Sequence, residues 1–142
     1  MIVEKVSTSG KDIVFVYTTC PSLEEVRSIG LSAIHEKLAV CMDYWSIGSI
    51  YPWNGVLQDV EQYMLMLTTD KELSDKLMKF ISGMHSYSTL MITRIDTALM
   101  NPSYKFWVTD VLSSTEPYIT EEEQRLKEIN DQEDGYHPGK LK

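Results

Sequence analysis

Two side chains in this sequence have the chemistry to hold a soft metal or move a proton: Cys41 and His85. A thiolate suits copper(I), and an imidazole both ligates metals and titrates near neutral pH. Each also has a packing role. Free cysteine is among the most buried residue types, so packing is the preferred reading of Cys41. His85 follows a helical pattern, where the helix dipole favours a cation at the C-terminal end, so a structural role is preferred there too. Met64 and Met66 share a strand face and could offer a thioether pair to copper(I), yet methionine is also a common filler of cores and interfaces. His35 falls at the exposed edge of a helical pattern and His137 near the C-terminus. No two histidines have i, i+4 or H-E-x-x-H spacing, so spacing alone presents no preformed metal set. Cys20 and Cys41 are too few for a disulfide scaffold or a four-cysteine zinc site and read as reduced thiols. No Ser-His-Asp order, phosphate loop or carboxylate pair is visible; Glu24-Glu25 and Glu121 to Glu123 read as helix starts. We therefore expect no catalytic residues.

Aromatic chemistry concentrates in Tyr51-Pro52-Trp53-Asn54-Gly55. Residues two apart on a strand point to the same face, so Tyr51 and Trp53 share one. Asn-Gly tolerates positive φ at both centres of a tight turn. The segment reads as the tip of a long β-hairpin whose aromatics line a ligand cleft or make a subunit contact; inter-subunit clefts are places where small ligands bind.

The elements that must position these groups follow from periodicity. Ile13 to Tyr17 is apolar at every position, a strand covered on both faces, and Thr18 to Pro21 breaks it. Ser22 with Glu25 forms a capping box for a helix carrying Leu23, Val26, Ile29, Ala33, Ile34 and Leu38 on one stripe. Gly30 weakens that helix or allows a close approach to the sheet. The hairpin follows, from about Val40 to Trp53 and back through Tyr63 to Leu67. Thr69 with Glu72 suggests a second capping box, before a helix with Leu73, Leu77, Phe80, Ile81 and Met84, ending near Gly83 to Ser86. A last strand, Met91 to Leu99, has charges on one face only. Asn101-Pro102 opens a short helix with Tyr104, Phe106, Trp107 and Val111.

The order βαββαβ is the ferredoxin-like α+β sandwich. It places the first and third strands, the two apolar on both faces, at the centre. Both helices cover one sheet face, so Val14, Val16, Met64 and Met66 or their alternates would be open on the other. A patch of that size calls for a partner, and we expect an obligate oligomer.

Composition bounds the rest. The net charge of −8 argues against a charge-driven nucleic-acid or anionic-membrane partner. No apolar run approaches the roughly 20 residues needed to cross a bilayer. Met1 to Lys11 lacks the pattern of a secretory signal, so a cytoplasmic location is expected. We divide the chain into a domain of residues 1–112 and an acidic extension of residues 113–142. In the extension Thr120 and Glu123 cap a short helix, and the composition beyond Asn130 reads as disordered.

Over about residues 12–112 the sequence resembles the CutA family of divalent-cation-tolerance proteins. The resemblance rests on Thr18-Thr19 with Pro21, Glu36-Lys37-Leu38-Ala39-Val40-Cys41, the hairpin residues Tyr51, Trp53 and Gly55, then His85 and Tyr87, then Asn101, Tyr104 and Trp107. It implies a ferredoxin-like homotrimer with hairpins pairing across subunits, no catalysis, and an association with copper tolerance, with Cys41 and His85 as the metal candidates. The trimer plan is similar to that of the PII signalling proteins. That implies an alternative, a small-molecule sensor with its ligand near Tyr51, Trp53, His85 and Tyr104; a third reading is a scaffold that recruits a partner protein. The sequence departs from the family at Gln62, Thr68 and Met91, which are neutral where the family carries charge, and at Ser86 and Leu90, where the family carries proline.

Overall fold

The structure, a computed structural model, describes residues 12–135; the readings of Met1 to Lys11 and of His137 lie outside it. The elements are β1 (Ile13–Cys20), α1 (Leu23–His35), β2 (Cys41–Trp53), β3 (Val56–Asp70), α2 (Ser74–Met84), β4 (Ile92–Asp96), α3 (Pro102–Ser113) and α4 (Glu121–Gly135). The strands form one antiparallel sheet in the order β2-β3-β1-β4. The two strands apolar on both faces are therefore central, as their pattern requires.

Several boundaries differ from the sequence expectation. β4, expected from Met91 to Leu99, spans only Ile92–Asp96, because its pairing with β1 ends at Val14↔Asp96. β1 continues through Thr18, Thr19 and Cys20, because these residues pair with Leu65, Met64 and Tyr63 of β3. β3 likewise runs on to Asp70, which pairs with Ile13. Thr69 is thus a buried strand residue and caps nothing. The turn into α2 is held instead by Asp70 Oδ1, which accepts from the Leu73 amide at 2.8 Å, and by the Ser74 hydroxyl, which donates to the Lys71 carbonyl at 2.7 Å. The last difference is α4, which stays helical to Gly135 where disorder beyond Asn130 was expected. Thr120 Oγ1 caps it through the Glu123 amide, and its first turn carries Glu121, Glu122 and Glu123, which favour the helix dipole.

At the hairpin tip Asn54 and Gly55 take φ of 51° and 78°, the pair of left-handed conformations that a two-residue turn needs. Both strands then run long, in register from Trp53↔Val56 to Cys41↔Thr68. At Gly30 a Cβ would lie 2.5 Å from Met42 Sδ. The missing side chain is what lets α1 approach β2 so closely.

The core lies between the helices and one sheet face: Val16, Cys20, Leu65 and Leu67 against Val26, Ile29, Ala33, Leu77 and Ile81. Register corrects the expected open face. Val16 pairs with Leu67 and Val14 with Thr69, so both valines face the helices and are buried. The alternates Phe15 and Tyr17, with Met64 and Met66, occupy the other face and are only half-buried. Tyr17 and Trp45 make an edge-to-face pair there, with centroids 6.3 Å apart.

Candidate functional site

Two adjoining features sit where β1 ends. The first is a cleft on the open sheet face, with a volume of about 470 Å³. Tyr51, Trp53, Gln58 and Gln62 line it from the hairpin, Thr19 from β1, and Tyr87, Ser88, Thr89 and Met91 from the connection between α2 and β4. The hairpin residues share a face because Tyr51 pairs with Gln58 and Trp53 with Val56. The lining holds no charged group. Gln62 is buried, and its Oε1 accepts from the Tyr87 hydroxyl at 3.1 Å. Burial raises the Tyr87 phenol above its ordinary range, with Tyr51, Glu25 and Cys20 adding to the effect.

The second feature lies on the helix side of the same strand end. His85 follows α2 directly and is clamped at both ring nitrogens. Nε2–H donates to the Thr19 carbonyl at 2.7 Å, and Nδ1 accepts from the Tyr87 amide at 3.1 Å. These partners fix the neutral Nε2–H tautomer. The Cys20 thiol lies 3.9 Å from Nε2. Glu25, in the first turn of α1, was expected to complete a capping box. Ser22 Oγ does accept from the Glu25 amide at 3.2 Å, but the carboxylate turns away and Oε1 takes the Ser86 amide at 2.9 Å. Oε2 is buried with no hydrogen-bond partner. Burial, and next the Glu25 charge, push the Cys20 thiol from its ordinary 9.0 up to about 12.

The residues singled out in the sequence separate into two groups. Tyr51 and Trp53 line the cleft, and His85 stands behind it, its ring 5.0 Å from that of Tyr87. Tyr104 and Cys41 lie at the other end of the sheet. Cys41 pairs with Thr68, which pairs with Phe15, five residues from Cys20; that is about 16 Å along the strands. Within one chain Cys41 and His85 therefore do not form one metal site, and Tyr104 does not reach the cleft. Burial raises the Tyr104 phenol; contact with Thr68 opposes this, while Cys41 and Asp43 add to it. The Cys41 thiol is raised by burial and by Asp43, whose Oδ2 lies 3.7 Å away. Sequence reasoning missed Cys20 and Glu25 as partners of His85. Their proximity depends on β1 running to Cys20 and on the Glu25 side chain leaving its own helix, and no spacing rule encodes either. Of the three neutral departures, Gln62 and Met91 meet in the cleft, while Thr68 lies beside Tyr104.

Comparison with known proteins gives one consistent result. The family described as CutA1 divalent ion tolerance protein matches residues 14–111. The mouse protein named CutA is 27% identical over 99 residues, which cover 69% of this chain but 56% of the mouse protein. The divalent-cation tolerance protein CutA of Archaeoglobus fulgidus is 28% identical over 98 residues, covering 69% of this chain and 96% of that one. Among solved structures, CutA1 from Ehrlichia chaffeensis superposes with a TM-score of 0.72 at 29% identity, over 75% of this chain and all of its own (100%).

Proposed function

The chain belongs to the CutA1 divalent ion tolerance family, and from that premise we propose that it is a non-catalytic, cytoplasmic homotrimer that acts in divalent-cation tolerance, with copper as the cation. The observation that carries the trimer is the sheet face opposite the helices. Phe15, Tyr17, Met64 and Met66 lie half-buried on it and Trp45 exposed. The hairpin extends it with Trp53 and Val56, a cross-strand pair 48% and 60% exposed. An apolar surface of this extent fits further copies of the chain better than water. By register the soft donors Cys41, Met64 and Met66 share this face, which supports copper as the cation.

The cleft favours a second reading, a sensor of an uncharged small molecule. Tyr51 and Trp53 offer stacking surfaces, and Gln58 and Gln62 offer amide hydrogen bonds. Calorimetry of the purified protein separates the two readings. Copper binding, with copper-sensitive growth of cells lacking the gene, supports the first. Heat from an uncharged metabolite that is lost in Trp53→Ala, with none from copper, replaces it with the second. Cell fractionation tests the location.

A further inference from the structure

Three elements bring one sulfur, one carboxylate and one imidazole to a point that no spacing motif announces. Cys20 comes from the end of β1, Glu25 from the first turn of α1 and His85 from the end of α2. Their ligand atoms all lie within 4.8 Å of one another, the one cluster of this kind among the described residues. We propose that Cys20, Glu25 and His85 bind a thiophilic divalent cation of the zinc type, in an exchangeable site with one position left open. The cation class rests on the tolerance reading above; the ligand set rests on the geometry.

The donor types and distances fit such an ion. With a zinc–sulfur bond of about 2.3 Å and a zinc–nitrogen bond of about 2.05 Å, a tetrahedral ion separates the two atoms by roughly 3.6 Å. Cys20 Sγ and His85 Nε2 are 3.9 Å apart, within a few tenths of an ångström of that separation, and the Thr19 carbonyl, 2.7 Å from Nε2, must turn aside to admit the ion. Binding displaces the Cys20 thiol proton to solvent; the resulting thiolate and the carboxylate together balance a divalent charge, and the imidazole ligates as a neutral group. Glu25 supplies the independent sign of a ligand. Its Oε1 is committed to the Ser86 amide, while Oε2 is buried without a partner. A buried carboxylate oxygen is costly in that state, and a cation between it and Cys20 removes the cost. Glu25 and His85 are themselves only half-buried, which leaves an entry path. Three protein donors with a fourth position open make an exchangeable site; closed structural sites use four.

The site is also wired to the cleft. A cation on His85 Nε2 displaces the proton now given to the Thr19 carbonyl. That proton moves to Nδ1, which then no longer accepts from the Tyr87 amide. Tyr87 lines the cleft and bonds Gln62 there. Cation binding behind β1 therefore repositions one wall of the cleft in front of it.

Cobalt(II) titration of the reduced full-length protein tests the assignment, with cobalt as the coloured stand-in for zinc. The expected result is a thiolate-to-cobalt charge-transfer band that saturates at one ion per chain and is bleached by zinc. Cys20→Ser abolishes the band, and Cys41→Ser leaves it intact. Glu25→Gln weakens binding by about tenfold or more; as a half-exposed position it keeps the test valid if Cys20→Ser fails to fold. A band that persists in Cys20→Ser, or affinity unchanged in Glu25→Gln, overturns this site. If copper still binds those variants as tightly as the parent, the tolerance reading survives that failure. A parent protein that binds neither cobalt, zinc nor copper overturns both.

Discussion

Replacing His85 by alanine removes the link that ties the end of β1 to the connection following α2. The ring makes two hydrogen bonds to the main chain, to the Thr19 carbonyl at 2.7 Å and from the Tyr87 amide at 3.1 Å. Each contributes about 1 kcal/mol net. Alanine leaves both main-chain groups without that partner in a half-buried setting, so the loss is about 2–3 kcal/mol. For a chain of this size about 1 kcal/mol moves the melting temperature by roughly 3–4 °C. The expected fall is then roughly 6–12 °C at fixed protein concentration, a control that matters because assembly couples to stability. Hydrogen exchange adds a local readout. The Tyr87 amide should be protected in the parent and exchange freely in the variant, while amides in the β1–β3 ladder stay protected. A melting temperature within about 2 °C of the parent, with unchanged Tyr87 protection, would refute the clamp.

Substitutions on the two sheet faces should separate folding from assembly. Val16→Asp puts an unpaired charge among Leu67, Val26 and Ile81 and should unfold the chain, at a cost of several kcal/mol. Met66→Asp, on the open face, should leave a folded protein by circular dichroism but a monomer by light scattering. The raised Cys20 thiol sets an alkaline dependence: the neutral form is favoured in the fold, so its stabilisation is complete below 9.0 and lost as pH rises toward about 12. Denaturant midpoints should fall across that window, and the fall should be shallower in Cys20→Ser. Truncation after Ser114 removes the Lys37 ammonium's contacts with the Tyr118 ring, 3.3 Å from its centroid, and with the Glu116 carbonyl. Oligomer mass should be unchanged and the melting temperature lower by only a few degrees, since an exposed cation–π contact is worth about 0.5–1 kcal/mol. Monomeric or insoluble truncated protein would show that the extension belongs to the fold.

The fold was legible where local signals and burial agree. Ile13 to Tyr17 and Tyr63 to Leu67 are apolar on both faces because they are central strands, and Asn54-Gly55 marks its turn by backbone conformation alone. Legibility failed where pairing across the sheet overrides local signals. Thr69 has the look of a cap, yet Val14 draws it into the ladder. Val14 and Val16 read equally well on either face, and only their register with Thr69 and Leu67 decides. The cleft was half legible. Tyr51 and Trp53 declared a shared face, but Gln58 joins them by cross-strand pairing and Tyr87 through the connection that His85 holds. The cation cluster was not legible, because Glu25 sits where a capping box explains it and Cys20 where a break in the strand was expected.

The account turns on what covers the open face of the sheet. Light scattering of the full-length protein at micromolar concentration measures this directly. It should return three times the chain mass of 16.3 kDa, and Met66→Asp should reduce that to a single chain. A parent protein that scatters as a stable monomer of 16.3 kDa would contradict the account.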